Sequence, residues 1–284
     1  MLNSNKLRFF FYSLLLVSFV LVGADVRGQE KEKEKYKSKN YNFCSNNWSN
    51  GDKVGGSELR EVTVPGGSLT VDGKRNGGIS VKGEDRSDVL VRACIQTWGS
   101  TEEEAKAMAK NIRIETGGTI RAEGTSEERG WSVSYQLLVP RNTNLKLTTM
   151  NGGIHISDVE GTMEFDAQNG GIHLNNLAGS VKGRTTNGGL HIELAGNTWK
   201  GDGIDVQTTN GGVHLTMAEN YAARFETRTV NGGFKSDIAA LQVEKDPNEP
   251  GYRRQGVNIS RELNGGGALV RIVTTNGGVK IGTN

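Results

Sequence analysis

Cysteine occurs twice, proline four times, and aromatic residues make up only 6% of this 284-residue chain. Two cysteines, Cys44 and Cys94, exclude a disulfide-dense scaffold, and their spacing excludes a CxxC redox or zinc site. So little proline excludes a Pro/Gly linker protein, and so few aromatics exclude a broad, aromatic-rich core. Charge of one sign is also missing, with Lys+Arg 34 against Asp+Glu 32. No general attraction to nucleic acid or to anionic membranes follows. There is no GxSxG elbow, HExxH, P-loop or GxGxxG after a strand. What the chain does have is glycine, 40 residues, about twice the usual share of roughly 7% and without a collagen period. Something structural consumes it.

The amino-terminal stretch reads as a secretory signal peptide. Lys6 and Arg8 precede an apolar run from Phe9 to Val22, and small residues follow at cleavage spacing up to Gly28. The run is shorter than the roughly 20 residues of a spanning helix, so an uncleaved anchor is the alternative and the mature chain, expected to start after residue 28, has no transmembrane span. Removing residues 1–28 leaves equal numbers of basic and acidic side chains. Export also favours one disulfide between Cys44 and Cys94, whose loop gains about 4 kcal/mol in the chain-entropy model. Two unpaired buried thiols are the alternative.

Residues 29–57, which include the run Glu30–Lys39 of alternating Glu and Lys, read as a charged, largely disordered tether. From residue 58 to 144 short period-2 runs such as Val62/Val64, Ile79/Val81 and Val133/Tyr135/Leu137 predict strands. One helix interrupts them, with Thr101 and Glu104 as a capping box and Ala105, Met108, Ala109 and Ile112 at helical spacing.

Residues 145–284 repeat. Asn-Gly-Gly begins at Asn76, Asn151, Asn169, Asn187, Asn210, Asn231, Asn264 and Asn276. Six residues before the asparagine stand Leu145, Met163, Val181, Ile204, Phe225 and Val270; three after it stand Ile154, Ile172, Leu190, Val213, Phe234 and Val279. The residue five before it is charged in six turns: Lys146, Glu164, Lys182, Asp205, Glu226 and Arg271. Constant apolar columns alternating with polar ones predict stacked parallel strands with one buried face. The apolar offsets are even before the asparagine and odd after it, so the chain changes face at Gly-Gly, where a corner needs backbone angles cheap only for glycine. The asparagines Asn151, Asn169, Asn187, Asn210, Asn231 and Asn276 are then expected to point inward and hydrogen-bond to one another as a structural column. The predicted fold is all-β, a parallel β-solenoid with a strand-rich amino-terminal segment containing one short helix. Extra residues loop out near 195–203 and 237–256.

With Thr-Thr-x-Asn-Gly-Gly-Ile-His-Ile in view, the chain resembles the bacterial putative-adhesin families of unknown function with glycine-punctuated β-helical repeats. The resemblance runs from about Glu58 to Asn284 and takes in the capped helix, the segment Ser134–Pro140 and the closing Thr274-Thr275-Asn276-Gly277-Gly278. It implies an adhesin-like scaffold and brings no catalytic residue with it.

All four histidines, His155, His173, His191 and His214, occupy one column four residues after the asparagine. Apolar neighbours on both sides turn them outward, so they are expected to stack as an exposed ladder. The ladder is either a by-product of repetition or a ligand surface, with Glu193 the one carboxylate two positions along the same strand face. Imidazole also suits a transition metal, although a line of rings offers two ligands more readily than three or four. Asp202 and Asp205 lie near Trp199 and Lys200, a grouping that a carbohydrate-active β-helix could use for acid catalysis and aromatic stacking. The sequence thus predicts an exported, periplasmic or surface protein without cofactor, metal or catalytic residues. Its expected partner is a surface ligand, glycan or protein, and not nucleic acid. A carbohydrate-active enzyme and a histidine-ladder metal binder are the alternatives.

Overall fold

The computed structural model describes residues 43–44, 49–50, 53–124, 130–243 and 256–284. The expected signal peptide and the Glu30–Lys39 run lie outside the described residues. Residues Cys44–Asn284 form one unit. Its described strands are β1 (Ser49–Asn50), β2 (Lys53–Pro65), β3 (Leu69–Asp72), β4 (Ile79–Glu84), β5 (Asp88–Gly99), β6 (Arg113–Glu115), β7 (Thr119–Glu123) and β8 (Trp131–Pro140). Then follow β9 (Leu145–Asn151), β10 (Ile154–Ser157), β11 (Glu160–Asn169), β12 (Ile172–Asn175), β13 (Ala178–Asn187) and β14 (Leu190–Glu193). The last are β15 (Gly203–Asn210), β16 (Val213–Met217), β17 (Ala223–Asn231), β18 (Phe234–Ser236), β19 (Val257–Leu263), β20 (Leu269–Asn276) and β21 (Val279–Thr283). The one α-helix among the described residues, α1, is Glu102–Asn111.

The strands form two large sheets. One runs β1-β2-β5-β8-β4-β10-β12-β14-β16-β21-β18 and the other β19-β17-β20-β15-β13-β11-β9-β3-β7-β6. From Asn151 to Asn210 each repeat gives its longer strand to the second sheet and its shorter strand to the first, and successive repeats pair in parallel with the asparagines in register. Leu145, Met163, Val181, Ile204, Phe225 and Val270 are all buried, as are Ile156, Leu174, Ile192, Leu215 and Ile281. Inward residues from both sheets belong to a single apolar core.

Both ends of this stack differ from expectation. The parallel register does not begin at residue 145: β3 pairs with β9 and β4 with β10, so the Asn76 turn is already its first member. Strand β2 likewise starts at Lys53, ahead of the expected boundary at Glu58, and pairs antiparallel with β5. At the other end the chain doubles back. Strand β19 runs antiparallel along β17, and β20 and β21 then insert between turns already laid down, β20 between β15 and β17 and β21 between β16 and β18.

The corner chemistry also needs correction. The asparagines do form a column: Asn151 Nδ2 donates to Asn76 Oδ1 at 3.1 Å, and the amides of Asn169, Asn187, Asn210, Asn276 and Asn231 continue it at 2.7–2.8 Å. All six repeat asparagines are exposed, however, so the column lies outside the corner and not within it. The inward corner residue is the threonine two positions earlier. The hydroxyls of Thr149, Thr185, Thr208, Thr274 and Thr229 are buried and donate to the first-glycine carbonyl of the neighbouring turn at 2.7–2.8 Å. Apart from Gly265 and Gly266, in the turn after Asn264, none of the Asn-Gly-Gly glycines lies in the left-handed region. Glycine is required there by close approach: a Cβ on Gly170 would stand 1.9 Å from the carbonyl oxygen of Gly152, and one on Gly188 2.1 Å from that of Gly170. The second glycine is looser, with a Cβ on Gly171 meeting Gly189 O only at 3.6 Å.

Helix α1 starts as the capping pattern requires, with Thr101 Oγ1 accepting from Glu104 N–H at 3.2 Å. It buries Ala105 and Ala109, and Arg60 of β2 donates to the carbonyls of Ala109 and Ile112 at its far end. Cys44 and Cys94 form the expected disulfide, tying the start of this unit to buried β5.

Candidate functional site

The histidines lie on β10, β12, β14 and β16, each between two buried apolar residues, so the pleat turns every ring outward. The strands pair residue for residue, His155 with His173, His173 with His191 and His191 with His214. The rings stack in parallel, with centroids 4.3, 4.7 and 6.0 Å apart and interplanar angles of 15°, 4° and 18°. Each of the first three leans over the second glycine of its own corner, so that a Cβ on Gly153, Gly171 or Gly189 would stand 3.7 Å from the ring Nε2.

Beside the rings, two residues further along the strands, runs a second outward row of Ser157, Asn175, Glu193 and Thr216. Asn175 Nδ2 donates to Glu193 Oε2. The two rows bound an open groove of about 400 Å³, floored by Ile156, Leu174 and Ile192. Partial burial holds the His155 imidazole below its ordinary pKa. His173 is lowered too, first by burial and then by its neighbours His155 and His191.

The column continues past the histidines. Lys280 of β21 pairs with His214, and Lys235 of β18 pairs with Lys280. In the other direction it passes through Ser80, Gln136, Arg92 and Glu61. There Arg92 Nε donates to Glu61 at 2.7 Å. The two lysines sit at the same offset from Asn276 and Asn231 as the histidines do from their asparagines, so the repeat alignment contained them, hidden by the change of residue type.

The rings do not converge on a common point. Parallel stacked imidazoles aim their nitrogens side by side, whereas a shared cation needs lone pairs that converge within about 2.0–2.1 Å of one point. Among the described residues no group of three or more His, Cys, Asp or Glu side chains could hold a metal ion. Glu193 lies in the groove, where it accepts from Asn175. The sugar-site grouping comes apart as well. Trp199 is buried, its Nε1 donating to Gly179 O at 2.9 Å, so its face is not offered to a ligand. Asp205 accepts from Arg271 at 2.7 Å, and Asp202 is an exposed residue of the preceding turn.

The outward column of the opposite sheet is built differently. In spatial order it reads Lys146, Glu164, Lys182, Asp205, Arg271, Glu226, alternating in sign at every step. Arg271 reaches Asp205 at 2.7 Å and Glu226 at 3.9 Å. Next to it Arg184 pairs with Asp166 at 2.7 Å. No helix among the described residues is long and apolar enough to cross a membrane.

No curated protein matches the chain. Among solved structures it is similar to a putative cell adhesion protein from Clostridium sporogenes ATCC 15579, at 11% identity and TM-score 0.43 over 81% of this chain and all of that one. A putative lipid binding protein from Parabacteroides distasonis ATCC 8503 matches at 8% identity and TM-score 0.26, covering 79% of this chain and 96% of that one. A putative adhesin from Bacteroides fragilis NCTC 9343 matches at 10% identity and TM-score 0.25, covering 80% and 97%. Residues 45–281, from the first strand to the last, fit a single family model, and the chain belongs to that family, Toastrack DUF4097.

Proposed function

We propose that the protein is an exported, non-enzymatic β-solenoid that works as an adhesin-like scaffold at the cell envelope, binding a surface glycan or protein through its outward columns. The observation that carries this reading is the in-register repetition of polar side chains across the parallel strands of two broad sheets. A surface that presents the same group at every strand, about 4.8 Å apart, suits an extended or repetitive ligand better than a small substrate. The Cys44–Cys94 disulfide and the leader-like residues 1–28 favour an oxidising compartment outside the cytoplasm. The pairing of Asp205 with Arg271 and the burial of Trp199 weigh against carbohydrate cleavage at the turn before β15.

The test is binding and turnover measured together. The purified chain is titrated against a panel of surface glycans and matrix proteins, and the same mixtures are assayed for reducing ends and unsaturated uronates. Saturable binding with no product is the expected result. Product release that disappears in an Asp202→Asn/Asp205→Asn variant would overturn the non-enzymatic reading.

A further inference from the structure

From β10 to β18 the outward column of the first sheet holds His155, His173, His191, His214, Lys280 and Lys235, six nitrogen bases on consecutive strands and no carboxylate. Like charges directly opposite on neighbouring strands are destabilising, and the opposite sheet avoids them at every step of its charged column. A single-signed column therefore needs another reason, and the groove beside it supplies one.

The geometry points to an acid-activated binding strip for a linear polysaccharide that carries a carboxylate on its repeating units. This deepens the scaffold reading and rests on it. The basic row would take the carboxylates, while Ser157 and Thr216 in the parallel row present hydroxyls suited to sugar hydroxyls and Asn175, its amide nitrogen donating to Glu193, offers its carbonyl oxygen. A single-stranded nucleic acid fits less well, because it needs aromatic faces on which bases stack. The imidazole faces here are turned to one another, and no other aromatic side chain lines the groove.

The strip is regulated by its own titration. His155 and His173, held below the ordinary imidazole value by burial, are uncharged at neutral pH and charge in acid, which lengthens the positive run that the lysines begin. The charged groups that face the rings are few. Lys280 and Lys235 continue the column, and Lys82 precedes Ser157 in the parallel row. Glu193 stands beside His191, and Asp237 follows β18 at the far end. Burial and mutual repulsion delay protonation of His155 and His173. A bound polyanion reverses that effect, so ligand and proton favour each other's binding.

The test uses the purified chain, carrying a tag free of histidine, titrated calorimetrically with polygalacturonate at about pH 7.5 and about pH 5, on either side of the ordinary imidazole value. Dextran serves as the neutral polymer and inorganic polyphosphate as the other anionic one. The expected result is that polygalacturonate binds at least about tenfold more tightly at the lower pH, while dextran does not bind. The His173→Gln/His191→Gln variant, checked for an unchanged circular dichroism spectrum and melting temperature at neutral pH, should lose that step. Lys280→Gln should weaken binding at both pH values and keep it. No polygalacturonate binding in acid, a pH step that survives in the double variant, or polyphosphate binding as tight as polyuronate would each overturn the inference. If the double variant still binds another member of the surface-ligand panel with undiminished affinity, the scaffold reading stands without it; a chain that binds nothing at either pH removes both.

Discussion

The two outward ladders are built on the same repeat and solve the same electrostatic problem in opposite ways. In stacked parallel strands, whatever residue type a column holds is set against itself every strand. On the second sheet, Lys146, Glu164, Lys182, Asp205, Arg271 and Glu226 alternate, so each charge within the column has an opposite charge on either side. On the first sheet, four histidines and two lysines follow one another. Neutral imidazoles can be stacked at little cost because their rings pack face to face, but the arrangement holds only while they stay neutral. The alternating ladder is stable at any pH near neutrality; the histidine ladder depends on pH. A column that serves only to cover the core has no need of that dependence.

The corner joins the two ladders, and disturbing it should have the largest effect. Gly170→Ala would push a methyl into the Gly152 carbonyl, backbone against backbone with no side chain to yield. The expected loss is about 3 kcal/mol or more. Gly171→Ala, one residue on, meets nothing closer than 3.6 Å and should cost less than about 1 kcal/mol. Urea unfolding of the two variants measures the difference. Equal losses would mean that glycine is needed at this corner for its dihedral freedom and not for close approach.

That distinction was not legible in the sequence. The Asn-Gly-Gly repeat announces a corner, but a corner can need glycine for its angles or for its lack of Cβ, and only the distance to the neighbouring turn decides. The period-2 columns placed the apolar residues of the repeats inward, although Phe234 is only half-buried, because burial on one face leaves a signal in each strand. Extending the even offsets to the asparagine itself failed, since the chain has already turned there. The last inward residue is the threonine two before it, and the recurring Thr-Thr of Thr185, Thr208 and Thr274 was the available sign. The position of the final turn was hidden for another reason. A repeat pattern says what each strand looks like and not which strand lies beside it. Sequence order would set Asp205 against Glu226, and inserting Arg271 between them removes the clash; the charge column held that information although the apolar columns did not.

Exchanging charges sharpens the comparison at smaller scale. Lys182→Glu would line up three acidic side chains with Glu164 and Asp205 on consecutive strands, with an expected loss of about 1 kcal/mol at neutral pH, reduced by salt. His173→Glu places a carboxylate between His155 and His191. It should stay within about 0.5 kcal/mol of the parent at neutral pH and become the more stable of the two in acid, where His155 charges. A His173→Glu variant that loses stability in acid as fast as the parent would show that the histidine column carries no repulsion worth relieving.

The smallest expected effect is the acid sensitivity of the parent itself. His155 and His173 are both held below the ordinary imidazole value of 6.5, His155 by burial and His173 by burial together with its charged-ring neighbours. A lowered pKa in the folded state means that the unfolded chain binds protons first as pH falls. Stability from this source is therefore complete above about pH 6.5 and is lost as pH drops from there through the lowered folded values. Carboxylates titrate mainly below about pH 5, so the interval above it isolates the histidines. The rings are partly solvated, so the change in melting temperature across that interval should be on the order of 1–2 °C. His155→Gln/His173→Gln should flatten it, whereas Lys182→Glu, on the other sheet, should lower the whole curve and leave its slope unchanged. A slope that persists in the glutamine variant would assign the acid sensitivity to groups outside the column and leave the two ladders electrostatically alike.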